Sequence, residues 1–228
     1  MRLLLLDCYL DRPGGHGYFR PWLAPHEPVV VALSSEPIPV RPDEVDAVVI
    51  TGSRGSIVTP EPWMVEAGAW LREAVALDVP ILGCCFGHQL LAWALFGAEA
   101  VGTAPGPEVG YPMIHRLKTD PLLDALPLDF RTYVSHEDEV RAVPGLTVLA
   151  RSEACAVHAL RVPGRRAWGV QFHVEYPAEE QLRILRYRAE RHPELRLDPD
   201  AMLAAAPDTA PQAVALFGRF LQLVQQGA

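Results

Sequence analysis

Val79-Pro80-Ile81-Leu82-Gly83-Cys84-Cys85-Phe86-Gly87-His88-Gln89 is the stretch whose reading decides the fold. Val79 to Leu82 is apolar and reads as a buried strand, while Phe86, Leu90, Leu91, Ala94 and Leu95 recur at helical spacing. A strand therefore passes through a sharp turn straight into a helix, with a thiol on the turn. With Cys85 in the middle, the run is the thiol counterpart of the G-x-S-x-G nucleophile elbow. Gly83 and Gly87 suit it, because a Cβ at either place would collide with the neighbouring element. The start of the helix offers unpaired backbone N–H groups and a positive dipole end, which lower a thiol pKa and can hold a developing oxyanion. Cys84 has the parity of Leu82 and should point into packing between sheet and helix, so Cys85 is the candidate nucleophile. The competing reading is two ordinary buried thiols, since free cysteine is among the most buried residue types.

A nucleophilic cysteine needs a base, and the base needs a group to orient it. Trp168-Gly169-Val170-Gln171-Phe172-His173-Val174-Glu175 supplies both. Trp168, Val170 and Phe172 alternate with Gly169 and Gln171, the period of a strand with one buried face. His173 falls at its end, where catalytic groups of open α/β sheets collect. In an extended segment residues two apart face the same way, so Glu175 lies beside His173 and its carboxylate can approach the imidazole. The arrangement fits a Cys85–His173–Glu175 triad.

Outward from these motifs the chain alternates strand and helix, the pattern of a parallel or mixed sheet covered on both faces. Strands are expected at 2–7, 29–33, 46–51 and 79–83, and helices at 61–77, 86–96, 178–192 and 211–226. Residues 99–175 read as several short strands broken by turns at Pro105-Gly106-Pro107, Pro144-Gly145 and Pro163-Gly164. The Gly- and aromatic-rich segment 10–26 matches neither phosphate-loop spacing and reads as a loop near the active face, with a plain surface loop the favoured alternative. Residues 193–211, with four prolines, read as a second irregular stretch of lid character. With no internal repeat and no dividing linker, residues 1–228 are expected to form one domain.

Half of the 228 residues are hydrophobic, yet no apolar run approaches the ~20 needed to span a bilayer, so no membrane partner is expected. A net charge of −8 argues against nucleic-acid binding. The late cluster Arg183, Arg186, Arg188 and Arg191 is interleaved with glutamates on a predicted helix and reads as a solvated face. Leu3-Leu4-Leu5-Leu6 stops at Asp7 and reads as a first buried strand, not a leader. Four cysteines, one needed as a free thiolate, argue for a reducing, cytoplasmic compartment. Cys8 and Cys155 carry no metal spacing and read as core or strand-end thiols, so neither metal nor cofactor is expected.

The two motifs together resemble the class I (triad) glutamine amidotransferase family. Gly83, Cys85, Gly87 and Gln89 match its G-x-C-x-G-x-Q elbow, and Gln171-Phe172-His173-Val174-Glu175 matches its Q-F-H-P-E with valine in place of proline. Val49 to Arg54 sits where the family has a Gly-containing turn that lends an N–H to the oxyanion hole, and Tyr133 to Asp138 where it has a loop holding the amino-acid end of glutamine. The resemblance implies a flavodoxin-like three-layer sandwich with a central mainly parallel sheet and a smaller strand-rich extension. It implies hydrolysis of the glutamine side-chain amide through a Cys85 thioester, giving glutamate and ammonia. It assigns the oxyanion hole to Gly52, Ser53 and Phe86, and the substrate's amino-acid end to Gln89, Ser135 and His136. Ser53 stands where several family members carry glycine. The length and the strand Gly110-Tyr111-Pro112-Met113-Ile114 look most like stand-alone members similar to the amidotransferase half of GMP synthase. Three readings stay open: a glutaminase acting with a separate synthetase subunit, a self-sufficient hydrolase of γ-glutamyl peptides or amides, and a non-catalytic regulatory homologue.

Overall fold

The largely apolar runs at 3–7, 47–50 and 81–84 form strands buried on both faces, because each face is covered by helices, while the edge run 29–32 stays partly exposed. The computed structural model describes residues 1–10 and 14–227. In chain order its main elements begin with β1 (Leu3–Asp7), α1 (Arg20–Leu23), β2 (Val29–Ala32), β3 (Ala47–Ile50), α2 (Pro62–Ala76), β4 (Ile81–Cys84) and α3 (Phe86–Phe96). The strand-rich part follows as β5 (Val101–Gly110), β6 (Met113–Arg116), β7 (Asp129–Arg131), β8 (Val134–Val140), β9 (Thr147–Arg151), β10 (Ala159–Arg161) and β11 (Ala167–Val170). The chain closes with α4 (Ala178–Arg191), α5 (Pro199–Ala204) and α6 (Ala210–Gln226).

One sheet runs in the order β2-β1-β3-β4-β11-β10-β9-β6-β7. The first five strands are parallel, in the flavodoxin-like order, and the remaining four continue the same sheet antiparallel. The strand-rich extension is thus mostly an edgewise continuation of the main sheet, and among the described residues only β5 and β8 pair separately. Alternation divides the core. Leu4, Leu6, Val48, Ile50 and Ile81 pack with Leu71 of α2 and Leu90 of α3, whereas Leu3, Leu5, Val49, Leu82 and Trp168 pack with Phe217 and Phe220 of α6. Leu3 to Leu6 are all about 99–100 % buried, each contributing about 1.5–3 kcal/mol relative to exposure. Cys84 lies with Leu82 in the α6-facing layer.

The parallel registers decide where the site forms. Ile50 pairs with Gly83 and Cys84 with Val170, so the C-terminal ends of β3, β4 and β11 finish side by side.

Several expected loops are ordered. Asp11, Arg12 and Pro13 lie outside the described residues, but the rest of segment 10–26 holds a 3₁₀ turn at Gly15–Tyr18 and then α1, with Phe19 and Leu23 fully buried. Phe19 meets Phe217 edge to face at 5.9 Å, so this segment is core and not a plain surface loop. Pro105-Gly106-Pro107 lies inside β5; the pairing with β8 shifts register between Thr103 and Glu108, because proline has no N–H for the ladder yet tolerates an extended bulge. The expected strand 110–114 is broken at Tyr111-Pro112, after Gly110 at φ 115°, and divides between β5 and β6. In 193–211, Asp198 caps α5 by accepting from the Ala201 N–H, a start signal that the prolines obscured.

Candidate active site

Cys85 sits between β4 and α3 with φ 52° and ψ −104°, a backbone that a non-glycine residue adopts only when its surroundings hold it. The hold is visible on both sides. Its N–H donates to the Val170 carbonyl at 2.8 Å, and the Gly87 N–H donates to the Thr51 carbonyl at 3.1 Å. A Cβ on Gly83 would lie 2.4 Å from the Gly87 oxygen, and one on Gly87 would lie 2.6 Å from the Ile50 oxygen. The two glycines are therefore what let α3 start hard against the sheet. Phe86, the first residue of α3, has no i−4 carbonyl within the helix for its N–H.

His173 and Glu175 lie beyond β11, fixed by an isolated antiparallel bridge between His173 and Tyr133. The His173 N–H donates to the Tyr133 carbonyl at 2.8 Å. His173 Nδ1 and Glu175 Oε1 are 2.6 Å apart, with both side chains buried. The carboxylate accepts only, so Nδ1 carries the proton and Nε2 is the nitrogen left for Cys85. Gly52 marks how closely cysteine and imidazole approach: a Cβ there would be 3.2 Å from His173 Cε1 and 3.6 Å from Cys85 Cβ. Tyr176 stacks on the imidazole at 4.5 Å and 24°, and its hydroxyl meets that of Tyr9 at 2.6 Å. The Trp22 indole donates to the Glu175 carbonyl at 3.3 Å. Burial alone would lower the His173 pKa; the Glu175 carboxylate and the Cys85 sulfur beside it prevail and raise it to about 10. Gln171 Nε2 approaches Cys85 Sγ at 3.5 Å.

Cys85 opens on a cavity of about 300 Å³ lined also by Ser53, Gln89, Ser135, His136, Arg188 and Arg191. The Ser53 hydroxyl accepts from the Gly55 N–H at 3.0 Å, and Ser53 adopts no positive φ, so this turn needs no glycine at 53. The Gln89 side-chain nitrogen donates to the Asp138 carbonyl at 2.8 Å and to Gln171 Oε1 at 3.1 Å, which locks its amide across the cavity floor. Tyr133 to Asp138 is not a loop: apart from Tyr133 it is strand β8, paired with β5, and its rigidity presents Ser135 and His136 through their backbone. The His136 ring turns away from the cavity toward Glu108, 2.9 Å distant. A larger cleft of about 610 Å³ lies beside Glu175, lined by Trp22, Tyr176, Leu203 and Pro207, and does not include Cys85.

A family model described as glutamine amidotransferase class-I matches residues 27–189, most of the chain. The chain belongs to the class-I glutamine amidotransferase family. Its members break the glutamine amide with a cysteine nucleophile. This amidotransferase is 38 % identical over 154 residues to a subunit of the glutamine-hydrolyzing GMP synthase of Halobacterium salinarum, an alignment that covers 67 % of the chain and 79 % of that relative. It is 37 % identical to the protein of the same name from Methanocaldococcus jannaschii, over 54 % of the chain and 64 % of the relative. A glutamine amidotransferase structure from Thermotoga maritima superposes with TM-score 0.78 at 18 % identity, covering 98 % of this chain and 97 % of that one, a likeness of fold.

The solvated-face reading of α4 fails at one position of the amidotransferase. The Arg188 side chain is only 13 % exposed; Nε donates to the Ser135 hydroxyl at 2.9 Å, and Nη1 pairs with Glu137. Tyr187, Arg188 and Arg191 share the helix face that looks into the cavity, where the Arg54 guanidinium lies 4.1 Å over the Tyr187 ring. The spacing 187, 188, 191 carries a one-sided signal, but Glu190 between and Glu179, Glu180 and Glu194 around it disguise it. Arg183 pairs with Glu180 and Arg186 with Asp200, as expected of a surface.

Proposed function

We propose that this amidotransferase hydrolyses the side-chain amide of glutamine and delivers ammonia to a separate synthetase subunit. The observation that carries the reading is the buried 2.6 Å His173–Glu175 pair set against a cysteine held at positive φ beside a cavity of about 300 Å³. The imidazolium supports the Cys85 thiolate, which attacks the amide carbonyl carbon to form a C–S bond. The electron pair displaced onto oxygen is received by the N–H of Phe86 and the Gly52-Ser53 turn. His173 Nε2 gives its proton to the departing nitrogen, the C–N bond breaks, and ammonia leaves a γ-glutamyl thioester. The now neutral His173 takes a proton from water, whose oxygen attacks the thioester; glutamate leaves and the thiolate returns. Glu175 keeps the proton on Nδ1 through both halves. Gln89 and the backbone at Ser135 and His136 receive the α-amino and α-carboxyl groups, with Arg188 holding Ser135 in place.

A synthetase partner is supported by the names of the relatives, each of which is one subunit of a GMP synthase and so implies at least one further subunit. Ammonia release from glutamine by the purified chain, measured with and without Cys85→Ala, tests the reading. The expected result is turnover that vanishes in the variant. Preference for a γ-glutamyl dipeptide over glutamine would move the assignment to a peptide or amide hydrolase. Absence of turnover on either substrate, with Cys85 inert to a glutamine-like electrophile, would overturn both.

A further inference from the structure

Behind the cavity, on the far side of β8, four side chains from three separate segments converge: Glu108 of β5, His136 of β8, and Cys155 and His158 from the connection between β9 and β10. One donor atom from each lies within 4.8 Å of the others, and His136, Cys155 and His158 are buried. Glu108 Oε2 stands 2.9 Å from His136 Nε2 and 2.8 Å from His158 Nε2, and Oε1 accepts from the Ser152 hydroxyl at 2.6 Å. We propose that Glu108, His136, Cys155 and His158 form a binding site for a divalent metal ion of the zinc type.

Proton placement makes the first argument. His136 Nδ1 faces the Asp138 backbone carbonyl at 3.0 Å. A carbonyl only accepts, so Nδ1 carries hydrogen, and the neutral ring then directs its Nε2 lone pair at the Glu108 carboxylate, another acceptor. With the ring neutral, these are two acceptors 2.9 Å apart, which either a proton on Nε2 or a metal ion between them would bridge. A ring N–H fastened to a backbone carbonyl is also the usual outer support of a metal-bound histidine. His158 Nδ1 is buried without a partner among the described residues, so the polar engagement of that ring is the Nε2 edge facing Glu108 and Ser152.

Composition makes the second. A proton could satisfy the carboxylate and the imidazoles, but it leaves the Cys155 sulfur, within 4.8 Å of them, outside the group. Two neutral imidazoles, a thiolate and a carboxylate carry −2 together, so a divalent ion leaves the buried group neutral, and this mixed N, S and O set is the one zinc takes. Bonds of about 2.0–2.3 Å place donors of a tetrahedral site about 3.3–3.8 Å apart. The two histidine–glutamate contacts would open by roughly half an ångström and the sulfur close by up to about one. The ligands lie 28, 19 and 3 residues apart in the chain, so spacing gives no metal pattern; the β5–β8 register and the β9–β10 connection bring them together. Since His136 adjoins Ser135 on β8, the ion would stiffen the strand that lines the cavity.

The test uses the untagged full chain loaded with Zn²⁺ or Co²⁺. The expected result is one metal per chain surviving dialysis, and for cobalt a tetrahedral visible spectrum with a sulfur-to-cobalt charge-transfer band. Cys155→Ser should remove that band and weaken zinc affinity at least about tenfold, and His158→Gln should weaken it similarly, while Cys85→Ala leaves both readouts unchanged. Substoichiometric metal in the unaltered chain overturns the proposal, and this result requires no variant to fold. So does metal that is lost in Cys85→Ala and retained in Cys155→Ser, which would place it at the active cysteine.

Discussion

Glu175→Gln separates the charge of the carboxylate from its shape. Glutamine has the same length and keeps an oxygen that can accept from His173 Nδ1, so packing under Trp22 and Tyr176 is preserved. What goes is the negative charge 2.6 Å from the imidazole. His173 stands at about 10 against an ordinary 6.5, and at 1.36 kcal/mol per pH unit the difference is about 5 kcal/mol in favour of imidazolium. That figure is what remains after burial has opposed it, and the carboxylate, the larger of the two favourable contributors beside the Cys85 sulfur, supplies at least about 2–3 kcal/mol. Loss of this much from the step that needs a charged imidazole lowers kcat/KM by about 30- to 160-fold. The alkaline fall in activity, expected near pH 10 in the unaltered enzyme, should move toward neutrality by about two pH units. Stability follows the same group. Its folded value lies above the unfolded one, so its stabilisation is complete below pH 6.5 and is lost as pH rises through about 10. The variant should show little of that alkaline loss. Ammonia release followed across pH, with thermal melts on the same samples, reads all three. Activity within about threefold of the unaltered enzyme, with the alkaline limb still near 10, would refute the assignment of Glu175.

Thiol alkylation under native conditions at neutral pH should modify Cys85 alone and be lost in Cys85→Ala by mass spectrometry, because burial raises the Cys8 and Cys84 thiols well above their ordinary range and Cys155 is 1 % exposed. Gly87→Ala puts a methyl 2.6 Å from the Ile50 carbonyl, and overpacking of backbone against backbone should cost about 1–3 kcal/mol in denaturant unfolding and abolish turnover by displacing Cys85. Arg188→Met keeps the apolar stem but releases Ser135 and Glu137; KM for glutamine should rise about tenfold with kcat changed less than threefold, the pattern of lost binding with intact chemistry.

How much of the site was legible in the chain depended on whether its geometry is local. The elbow is local. Gly83, Cys85 and Gly87 report a turn within five residues, and His173 and Glu175 are two apart on an extended segment, so their contact follows from strand period alone. The strand–helix alternation likewise follows from hydrophobic periodicity, which depends on burial and not on which partner supplies it. The segments misread were those whose signals conflict. Pro105-Gly106-Pro107 has turn composition, yet the pairing of β5 with β8 on either side of it carries it through as an extended bulge. Phe19 and Leu23 sit in a Gly-rich stretch, yet the apolar face of α6 takes them into the core.

Amino-acid order alone thus singled out the candidate nucleophile and the histidine and carboxylate proposed to serve it, and the layered α/β class, because each rests on spacing within a turn or a strand. Tertiary structure decided the rest. Only the parallel registers of β3, β4 and β11 set Gly52, Cys85 and His173 within contact of one another. Only the packing of α4 against β8 turned Arg188 from a surface charge into a wall of the cavity. Only the pairing of β5 with β8 and of β9 with β10 gathered Glu108, His136, Cys155 and His158. Contacts between residues distant in sequence depend on register, and register is set by the whole sheet at once.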